Sequence, residues 1–344
     1  MTADSLDKIG NTPLVLIKSL SELSGNNIYL KCENLNPGGS IKDRAAKQMV
    51  LDGIENGTLK KEMTIIEGTA GNTGIGLAMV ARELGYKMMV VMPDDQAKEK
   101  DYEILKFGAE LKKVPAVPFT NPNHFFHTAR RMAEEEPEKY WFANQFENLS
   151  NFKAHYDTTG PEIYNQLDGK VDVLSCAAGT GGTIAGTSCY LKKMNKQTKV
   201  YLVDPDGSGL HSYLSSTDWK SNGLTSITEG VGIMRLVPNF NQALLNSTID
   251  GSFNISDKDL VTIANYVRAN DNILLGSSSA LNTCGAFKAS MMNKGQNLNI
   301  VTFFCDAGER TLSKLYNKEF LETKNLHVLD SIEQITERFG VTKE

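Results

Sequence analysis

Residues 171–186 read VDVLSCAAGTGGTIAG, an apolar run that ends in a cluster of glycines and threonines. The run has the length of a buried strand and the residues after Thr183 have the length of a helix, so the stretch predicts a strand that leads into a helix through a tight turn. Backbone N–H groups at the start of such a helix attract an anion. The turn lacks both the dinucleotide pattern G-x-G-x-x-G and the nucleotide pattern G-x-x-x-x-G-K-[ST], so we expect it to bind a single phosphate group. A tight turn without a ligand is the alternative interpretation.

The same alternation of apolar runs and helix-length segments extends along the chain. We predict strands at 28–32, 63–67, 87–92, 110–114, 171–177, 199–203 and 299–304. We predict helices at 43–56, 74–84, 97–107, 123–134, 159–167, 183–195, 256–269 and 282–294. This alternation indicates an α/β fold with mostly parallel sheets and helices on both faces of each sheet. Such sheets bind ligands at the carboxyl ends of their strands.

Composition excludes several classes of protein. The 344 residues are 40% hydrophobic and carry a net charge of −5, which excludes a disordered chain and argues against nucleic-acid and anionic-membrane partners. The longest apolar runs, such as 88–92, are far shorter than the roughly 18 residues of a membrane span. The first residues carry two acids and no apolar segment of the kind found in signal peptides. We therefore expect a cytoplasmic protein of about two domains.

Metal binding is not expected. The five cysteines are widely spaced, and neither a C-x-x-C pair nor a Cys/His knuckle occurs. His124 and His127 are three residues apart and could share a helix face, but no third ligand stands near them in the sequence. Unpaired cysteines in apolar surroundings favour a reducing compartment.

A second glycine-rich element, residues 67–74 (EGTAGNTG), also follows an apolar run and precedes a helix. It offers backbone N–H groups to an anion, and the amide of Asn72 and the hydroxyls of Thr69 and Thr73 add hydrogen-bonding groups. Such a loop can hold a carboxylate and can also contact a ring substituent.

A third element, residues 36–44 (NPGGSIKDR), places a lysine at the start of a helix. Pro37 and the two following glycines form a turn, and Ser40 is the expected N-cap. Lys42 then lies in the first helical turn, where the helix dipole disfavours a cation and favours an amine nucleophile. An exposed surface lysine is the alternative. Together, a nucleophilic lysine, a phosphate loop and a carboxylate loop are the components of a pyridoxal-phosphate enzyme that acts on amino acids.

The chain resembles the cysteine synthase (O-acetylserine sulfhydrylase) and cystathionine β-synthase family over residues 8–320. The motifs that carry the resemblance occur in family order: NTPL at 11–14, KCENLNPGGSIKDR at 31–44, EGTAGNTGIGLA at 67–78, NQFEN at 144–148, HYDTTGPEI at 155–163, AAGTGGTIAG at 177–186 and CDAGER at 305–310. The resemblance implies the tryptophan-synthase-β-like pyridoxal-phosphate fold (fold type II), with two three-layer α/β/α lobes. We expect a larger phosphate-binding domain at 1–35 plus 150–344, and a smaller mobile domain at 36–149.

The resemblance also implies roles for individual residues. Lys42 corresponds to the lysine that holds pyridoxal 5′-phosphate and moves protons at the substrate Cα, and Asn72 to the asparagine that contacts the 3′-oxygen of the cofactor. The implied phosphate-binding residues are Gly179, Thr180, Gly181, Gly182 and Thr183. The implied substrate-binding residues are Thr69, Ala70, Gly71, Thr73, Gln145 and Gly230.

Three positions depart from the family pattern. Ala70 replaces the usual serine of the carboxylate loop, which removes a hydroxyl. Asp306 stands near the position where many relatives place a serine against the pyridine nitrogen, and we expect Asp306 to contact the cofactor there. Ser279 replaces a usual glycine at the end of the segment 276–279.

The implied reaction is β-replacement, in which O-acetyl-L-serine and sulfide give L-cysteine through an aminoacrylate intermediate. A cystathionine β-synthase-like reaction on serine is the alternative, and a dehydratase or desulfhydrase is a third reading. A weakly catalytic relative that binds the C-terminal tail of a partner is an alternative of another class, and serine acetyltransferase is the partner that the resemblance suggests. The resemblance also implies a homodimer.

Overall fold

Within residues 4–69, 71–96 and 98–340, which the computed structural model describes, ten strands form two sheets. The strands are β1 (Leu14–Leu16), β2 (Asn27–Lys31), β3 (Thr64–Gly68), β4 (Lys87–Pro93), β5 (Glu110–Val114), β6 (Tyr140–Phe142), β7 (Val173–Ala177), β8 (Lys199–Pro205), β9 (Gly251–Ile255) and β10 (Asn299–Phe303). One sheet has six strands in the order β1-β2-β10-β7-β8-β9, and the other has four in the order β5-β4-β3-β6. Every pairing is parallel except β1 with β2.

Helices connect the strands. They are α1 (Asp4–Asp7), α2 (Lys18–Ser24), α3 (Lys42–Glu55), α4 (Asn72–Leu84), α5 (Lys98–Lys106), α6 (Phe125–Glu135), α7 (Ser150–Ala154), α8 (Gly160–Gln166), α9 (Gly182–Met194), α10 (Leu210–Ser216), α11 (Pro238–Leu245), α12 (Asp257–Asp271), α13 (Ser277–Met292), α14 (Lys318–Thr323) and α15 (Ile332–Gly340). A π-helical turn, His155–Thr159, joins α7 to α8, and 3-10 turns lie at Glu33–Leu35 and Gly308–Thr311. None of the helices in the described part of the chain combines the length and apolar character needed to cross a membrane.

Each sheet is covered by helices on both faces, and successive strand residues, which point to opposite sides, pack against different helices. In β3, fully buried Ile65 packs with residues of α3 and α4, whereas its neighbour Ile66 packs in a separate cluster with residues of α6. In β7, Val173 packs with residues of α12 and α13, and Leu174 packs with residues of α9. The fold therefore has two three-layer α/β/α lobes with mostly parallel sheets, which confirms the predicted fold class.

We call the four-stranded sheet with α3 to α6 the small lobe, and the six-stranded sheet with its helices the large lobe. All strands of the small lobe lie within residues 64–142, and those of the large lobe come from residues 14–31 and 173–303. The division of the chain into two domains that move relative to one another stays a prediction.

All seven predicted strands and all eight predicted helices are present, although several begin or end a few residues away from the predicted bounds. The prediction missed three strands, β1, β6 and β9. Each lies at the edge of its sheet and is partly exposed, so the sequence lacks the long apolar run of a central strand there.

Candidate active site

The three glycine-rich elements line one cavity between the lobes. The predicted carboxylate loop, residues 69–73, follows the end of β3 at Gly68. The predicted phosphate loop, residues 179–183, follows the end of β7 at Ala177. This is the carboxyl edge of both sheets, where ligands of parallel α/β folds bind. The predicted site residues on the cavity wall are Lys42, Thr69, Gly71, Asn72, Thr73, Gln145, Gly179, Thr180, Gly181, Thr183 and Gly230. Ala70 lies outside the described residues, and the described wall includes neither Gly182 nor Asp306.

Lys42 is the first residue of α3, and its side chain lines the cavity. The predicted cap is displaced by one residue. Ile41 occupies the N-cap position with helical backbone angles, and the Ser40 hydroxyl instead accepts a hydrogen bond from the Lys42 N–H at 3.2 Å. Lys42 Nζ makes no hydrogen bond or ion pair with any residue that the structure describes. It is therefore available to a ligand in the cavity.

A buried charge network fixes the first turn of α3. Arg44 donates paired hydrogen bonds of 2.7 Å to the carboxylate of Glu33 and to that of Glu162. Lys31 also contacts Glu162 at 2.7 Å. Burial acts to raise the pKa of Glu162, but Arg44 and Lys31 outweigh it and lower that pKa to about 2. Because these groups come from β2, the 3-10 turn Glu33–Leu35, α3 and α8, they hold the backbone that carries Lys42 against the large lobe.

The phosphate loop ends at the start of α9. Gly181 has a φ of +84°, which lets the chain turn into the helix at Gly182, and a side chain at Gly181 would also collide with Phe240. The first N–H groups of a helix have no acceptor within it, so those of α9 are available to an anion. Thr180 and Thr183 add two hydroxyls to the same cavity wall.

Two buried side chains orient these hydroxyls. Asn151 donates to Thr180 Oγ1 at 2.9 Å, and His155 Nε2 lies 3.1 Å from Thr183 Oγ1. The other ring nitrogen of His155 lies 2.9 Å from Thr159 Oγ1. Burial lowers the pKa of His155 well below its ordinary value, so the ring is neutral at pH 7. Sequence reasoning did not assign His155 a role, although the residue begins one of the quoted motifs.

The carboxylate loop is connected to Gln145. Thr73 donates to Gln145 Oε1, and Gln145 Nε2 donates to Glu67 Oε1 at 3.2 Å. Glu67 is completely buried, and burial raises its pKa to about 8, so it is largely protonated at pH 7. Thr69 Oγ1 accepts a hydrogen bond from the N–H of Gly71 at 3.2 Å. The loop thus presents hydrogen-bonding groups without an ionised carboxylate that would repel an anionic ligand.

A third part of the wall comes from α13 and the end of β10. Ser278, Asn282 and Cys305 line the cavity, and the Asn282 amide donates to the Cys305 sulfur at 3.2 Å. Burial raises the pKa of Cys305 to about 12, so its thiol is not a nucleophile at neutral pH. Asp306, which we expected to contact the cofactor ring, is buried and is not among the residues that line the cavity, and its carboxylate accepts a hydrogen bond from Asn72. Ser278 is the hydroxyl-bearing residue on this part of the cavity wall.

Two charged contacts of Glu229, on the cavity wall, were missed by sequence reasoning. Lys100 of α5 forms an ion pair with Glu229, and Lys314 contacts the other oxygen of the same carboxylate at 2.6 Å. Burial acts to raise the pKa of Glu229, but the two lysines hold it below its ordinary value. Both Lys100 and Glu229 line the cavity.

Arg235 makes a second contact between the lobes. Its guanidinium lies 4.3 Å from the ring centre of Phe119, 5.2 Å from that of Phe126 and 5.1 Å from that of Phe146. Such cation–π contacts stabilise most when they are shielded from water. Glu229 and Arg235 therefore connect both ends of the large-lobe segment 229–235 to the small lobe.

No group of three or more His, Cys, Asp or Glu side chains in the described residues is arranged to hold a metal ion.

Known proteins resemble this chain over nearly its whole length. The family model described as "Pyridoxal-phosphate dependent enzyme" matches residues 6–306. Cysteine synthase from Dictyostelium discoideum is 44% identical over 334 residues, which cover 94% of this chain and 87% of the relative.

Two solved structures are similar in fold and in sequence. Cysteine synthase from Entamoeba histolytica has a TM-score of 0.83 and 30% identity, covering 98% of this chain and 94% of that one. The O-acetylserine-dependent cystathionine β-synthase from Helicobacter pylori has a TM-score of 0.81 and 32% identity, covering 90% of this chain and 97% of that one. The chain therefore belongs to the family of pyridoxal-phosphate-dependent enzymes that includes the cysteine synthases.

Proposed function

We propose that this protein is a cysteine synthase that forms L-cysteine from O-acetyl-L-serine and sulfide by pyridoxal-phosphate-dependent β-replacement. One observation carries the proposal. The unpaired amine of Lys42 lies in a cavity that has an anion-binding helix start at residues 179–183 and a second anion-binding loop at residues 69–73. The relatives named cysteine synthase support the choice of reaction.

The residues of the cavity fit pyridoxal 5′-phosphate. The helix start with Thr180 and Thr183 offers donors for one phosphate, and a Cβ on Gly179 would lie 2.0 Å from the carbonyl oxygen of Gly230, so the cradle requires glycine there. Lys42 would hold the cofactor covalently, Asn72 would donate to its 3′-oxygen and Ser278 would face its ring. When bound, the cofactor supplies an electron sink that makes the substrate α-proton acidic and eases loss of the β-substituent.

The protein's own groups would then bind substrate and move one proton. Thr69, Gly71 and Thr73, with Gln145, would hold the substrate carboxylate, while Lys42 takes the proton from Cα and later returns it. Fixing the phosphate of the cofactor and the carboxylate of the substrate would place the reacting carbon beside Lys42 and lower the entropic part of the barrier. The contacts of Lys100 and Arg235 would hold the small lobe over the cavity and so limit the access of water to it.

The experiment that tests the reaction is a panel of substrate pairs. The cofactor-loaded protein is given O-acetylserine with sulfide, O-acetylserine with homocysteine, and serine with homocysteine, and the amino-acid products are quantified. We expect cysteine from the first pair as the fastest reaction. Absence of cysteine from that pair, with an active enzyme on another pair, would contradict the proposed substrates.

A cystathionine β-synthase-like reaction is the second candidate, and the likeness to one solved structure favours it. The Helicobacter pylori neighbour is named for such an activity with O-acetylserine. Faster formation of cystathionine than of cysteine in the panel would establish this candidate.

We also propose two protein partners. A homodimer follows from the resemblance, and a mass near twice the 37.8 kDa of the chain would support it.

The C-terminal tail of serine acetyltransferase would bind in the cavity because a terminal carboxylate has the charge of the substrate carboxylate. A synthetic tail peptide should then compete with O-acetylserine, and the same peptide with an amidated C-terminus should not.

We propose the cytoplasm as the location. All five cysteines are free, and four of them are buried, which suits a reducing compartment. Fractionation of cells that produce the protein, followed by immunoblotting, tests the location directly.

A further inference from the structure

Both the nitrogen and the oxygen of the Asn72 side-chain amide form hydrogen bonds with residues of the large lobe. Its Nδ2 donates to Asp306 Oδ2 at 2.7 Å, and its Oδ1 accepts from Arg310 Nη1 at 3.0 Å. Arg310 also donates to the carbonyl oxygen of Gly38, which fixes the guanidinium. Asn72 is the first residue of α4 in the small lobe, so these bonds connect the two lobes at the cavity wall.

The chemistry of these partners allows the amide only one orientation. A guanidinium has donors and no acceptor, so the Asn72 atom that it contacts must be the oxygen. The nitrogen then faces the Asp306 carboxylate, which accepts one of its two hydrogens. The second hydrogen of Nδ2 remains for a ligand, and Asn72 lines the cavity.

Asp306 is itself held firmly. The Ser279 hydroxyl donates to the carbonyl oxygen of Asp306 at 2.8 Å and accepts from its N–H at 3.2 Å. A Cβ on Gly276 would lie 2.1 Å from Asp306 Oδ1, so the carboxylate occupies space that only glycine leaves open. Asp306 and Ser279, two of the positions that depart from the family pattern, are therefore in direct contact.

We propose that Asp306 and Arg310 are positioning residues that direct an Asn72 N–H at an oxygen of the cofactor ring, with Ser279 holding Asp306 in place. This inference rests on the proposed contact between Asn72 and the 3′-oxygen. It gives Asp306 a role that acts through Asn72, in place of the direct contact with the ring that the sequence suggested. An amide turned the other way would present its oxygen to an electron-rich oxygen of the cofactor and repel it.

Cofactor binding without substrate tests the inference. Apo-protein is titrated with pyridoxal 5′-phosphate, and its dissociation constant and the absorption spectrum of the bound cofactor are measured across a pH series. One hydrogen bond corresponds to about a two- to tenfold change in affinity, and we expect Asp306→Ala to weaken binding by that factor and to shift the spectrum. Asp306→Asn should restore most of the affinity and most of the wild-type spectrum, because the amide oxygen of the new side chain accepts the same hydrogen bond. Glu309→Gln, at an exposed neighbouring acid, is the control and should change neither.

An Asn72→Ala background separates positioning from a general structural role. There, Asp306→Ala should cause no further spectral shift, because the group it orients is gone. An equal shift in both backgrounds, or no effect of Asn72→Ala itself, would overturn the inference. If Asp306→Ala does not fold, Arg310→Met replaces it and must show the same dependence on Asn72, with Arg310→Lys as the conservative variant. Failure to form cysteine would not affect these readouts, so the proposed reaction and this inference can fail separately.

Discussion

The ammonium of Lys100 in the small lobe and the carboxylate of Glu229 in the large lobe form an ion pair on the wall of the cavity. Their side chains are only 4% and 11% exposed, respectively, so the pair is shielded from water. The methylenes of Lys100 also lie against the carboxylate loop, since a Cβ on Gly71 would be 2.3 Å from Lys100 Cδ. The side chain of Lys100 thus connects the carboxylate loop, the small-lobe helix α5 and the large lobe.

Replacing Lys100 with methionine should loosen α5 from the large lobe. Lys100→Met keeps the apolar stem and removes the charge, while Glu229 keeps its contact with Lys314. A charge-assisted hydrogen bond contributes about 1.5–3 kcal/mol, so amide hydrogen exchange in residues 98–106 should accelerate about ten- to a hundredfold. Lys98→Met, at an exposed position in the same helix, is the matched control. Unchanged exchange in Lys100→Met would show that the ion pair does not hold the lobes together.

Removing the hydroxyl of Thr183 should weaken cofactor binding. Thr183→Val preserves the shape of the side chain and removes one donor from the phosphate cradle, so the affinity of apo-protein for pyridoxal 5′-phosphate should fall about two- to tenfold. Thr187→Val is the matched control, because Thr187 lies one turn later in α9 and its buried hydroxyl has no hydrogen-bond partner among the described residues. Equal affinities for the two variants would place the phosphate elsewhere.

Glu162 should make the fold sensitive to acid. Its pKa is about 2 in the folded protein and 4.5 ordinarily, so its contribution to stability is present above pH 4.5 and is lost as the pH falls toward 2. A difference of this size corresponds to about 3 kcal/mol in the free energy of unfolding. Urea midpoints measured at pH 7 and at about pH 3 should therefore differ less in Glu162→Gln than in the wild type.

The Glu162→Gln variant should also be less stable at pH 7, because Lys31 and Arg44 lose a buried counter-charge, an effect of about 3–5 kcal/mol. Glu135→Gln, at an exposed glutamate, should keep the wild-type pH dependence. A wild-type pH dependence in Glu162→Gln would mean that other acids cause the loss of stability.

The sequence was most informative where the signal is local. Lys42, the phosphate loop and the carboxylate loop each occupy a few consecutive residues between a strand and a helix, so their place at the strand ends follows from the fold class alone. The start of α3 was displaced because Ile41 adopts helical backbone angles, a detail that residue preferences do not determine.

Contacts between distant residues could not be predicted in this way. Lys100 and Glu229 are 129 residues apart, and Asn72 and Asp306 are 234 residues apart. The direction of the Asp306 side chain depends on the partners that the fold brings to it, so its hydrogen bond with Asn72 could not be read from the sequence. Three of the four edge strands, β1, β6 and β9, escaped prediction for a related reason, since pairing with a neighbouring strand stabilises them more than their own sequence does.

The central claim is that Lys42 is the lysine that binds the cofactor, and peptide mapping tests it most directly. Two lysines of the described residues, Lys42 and Lys100, line the cavity, and only Lys100 is engaged in an ion pair. Borohydride treatment of the cofactor-loaded protein makes the lysine–cofactor bond permanent, and mass spectrometry of a proteolytic digest then locates the added mass. We predict the added mass on Lys42, and its loss from that peptide in Lys42→Ala. Finding it on Lys100, or on no lysine of the cavity, would contradict the account.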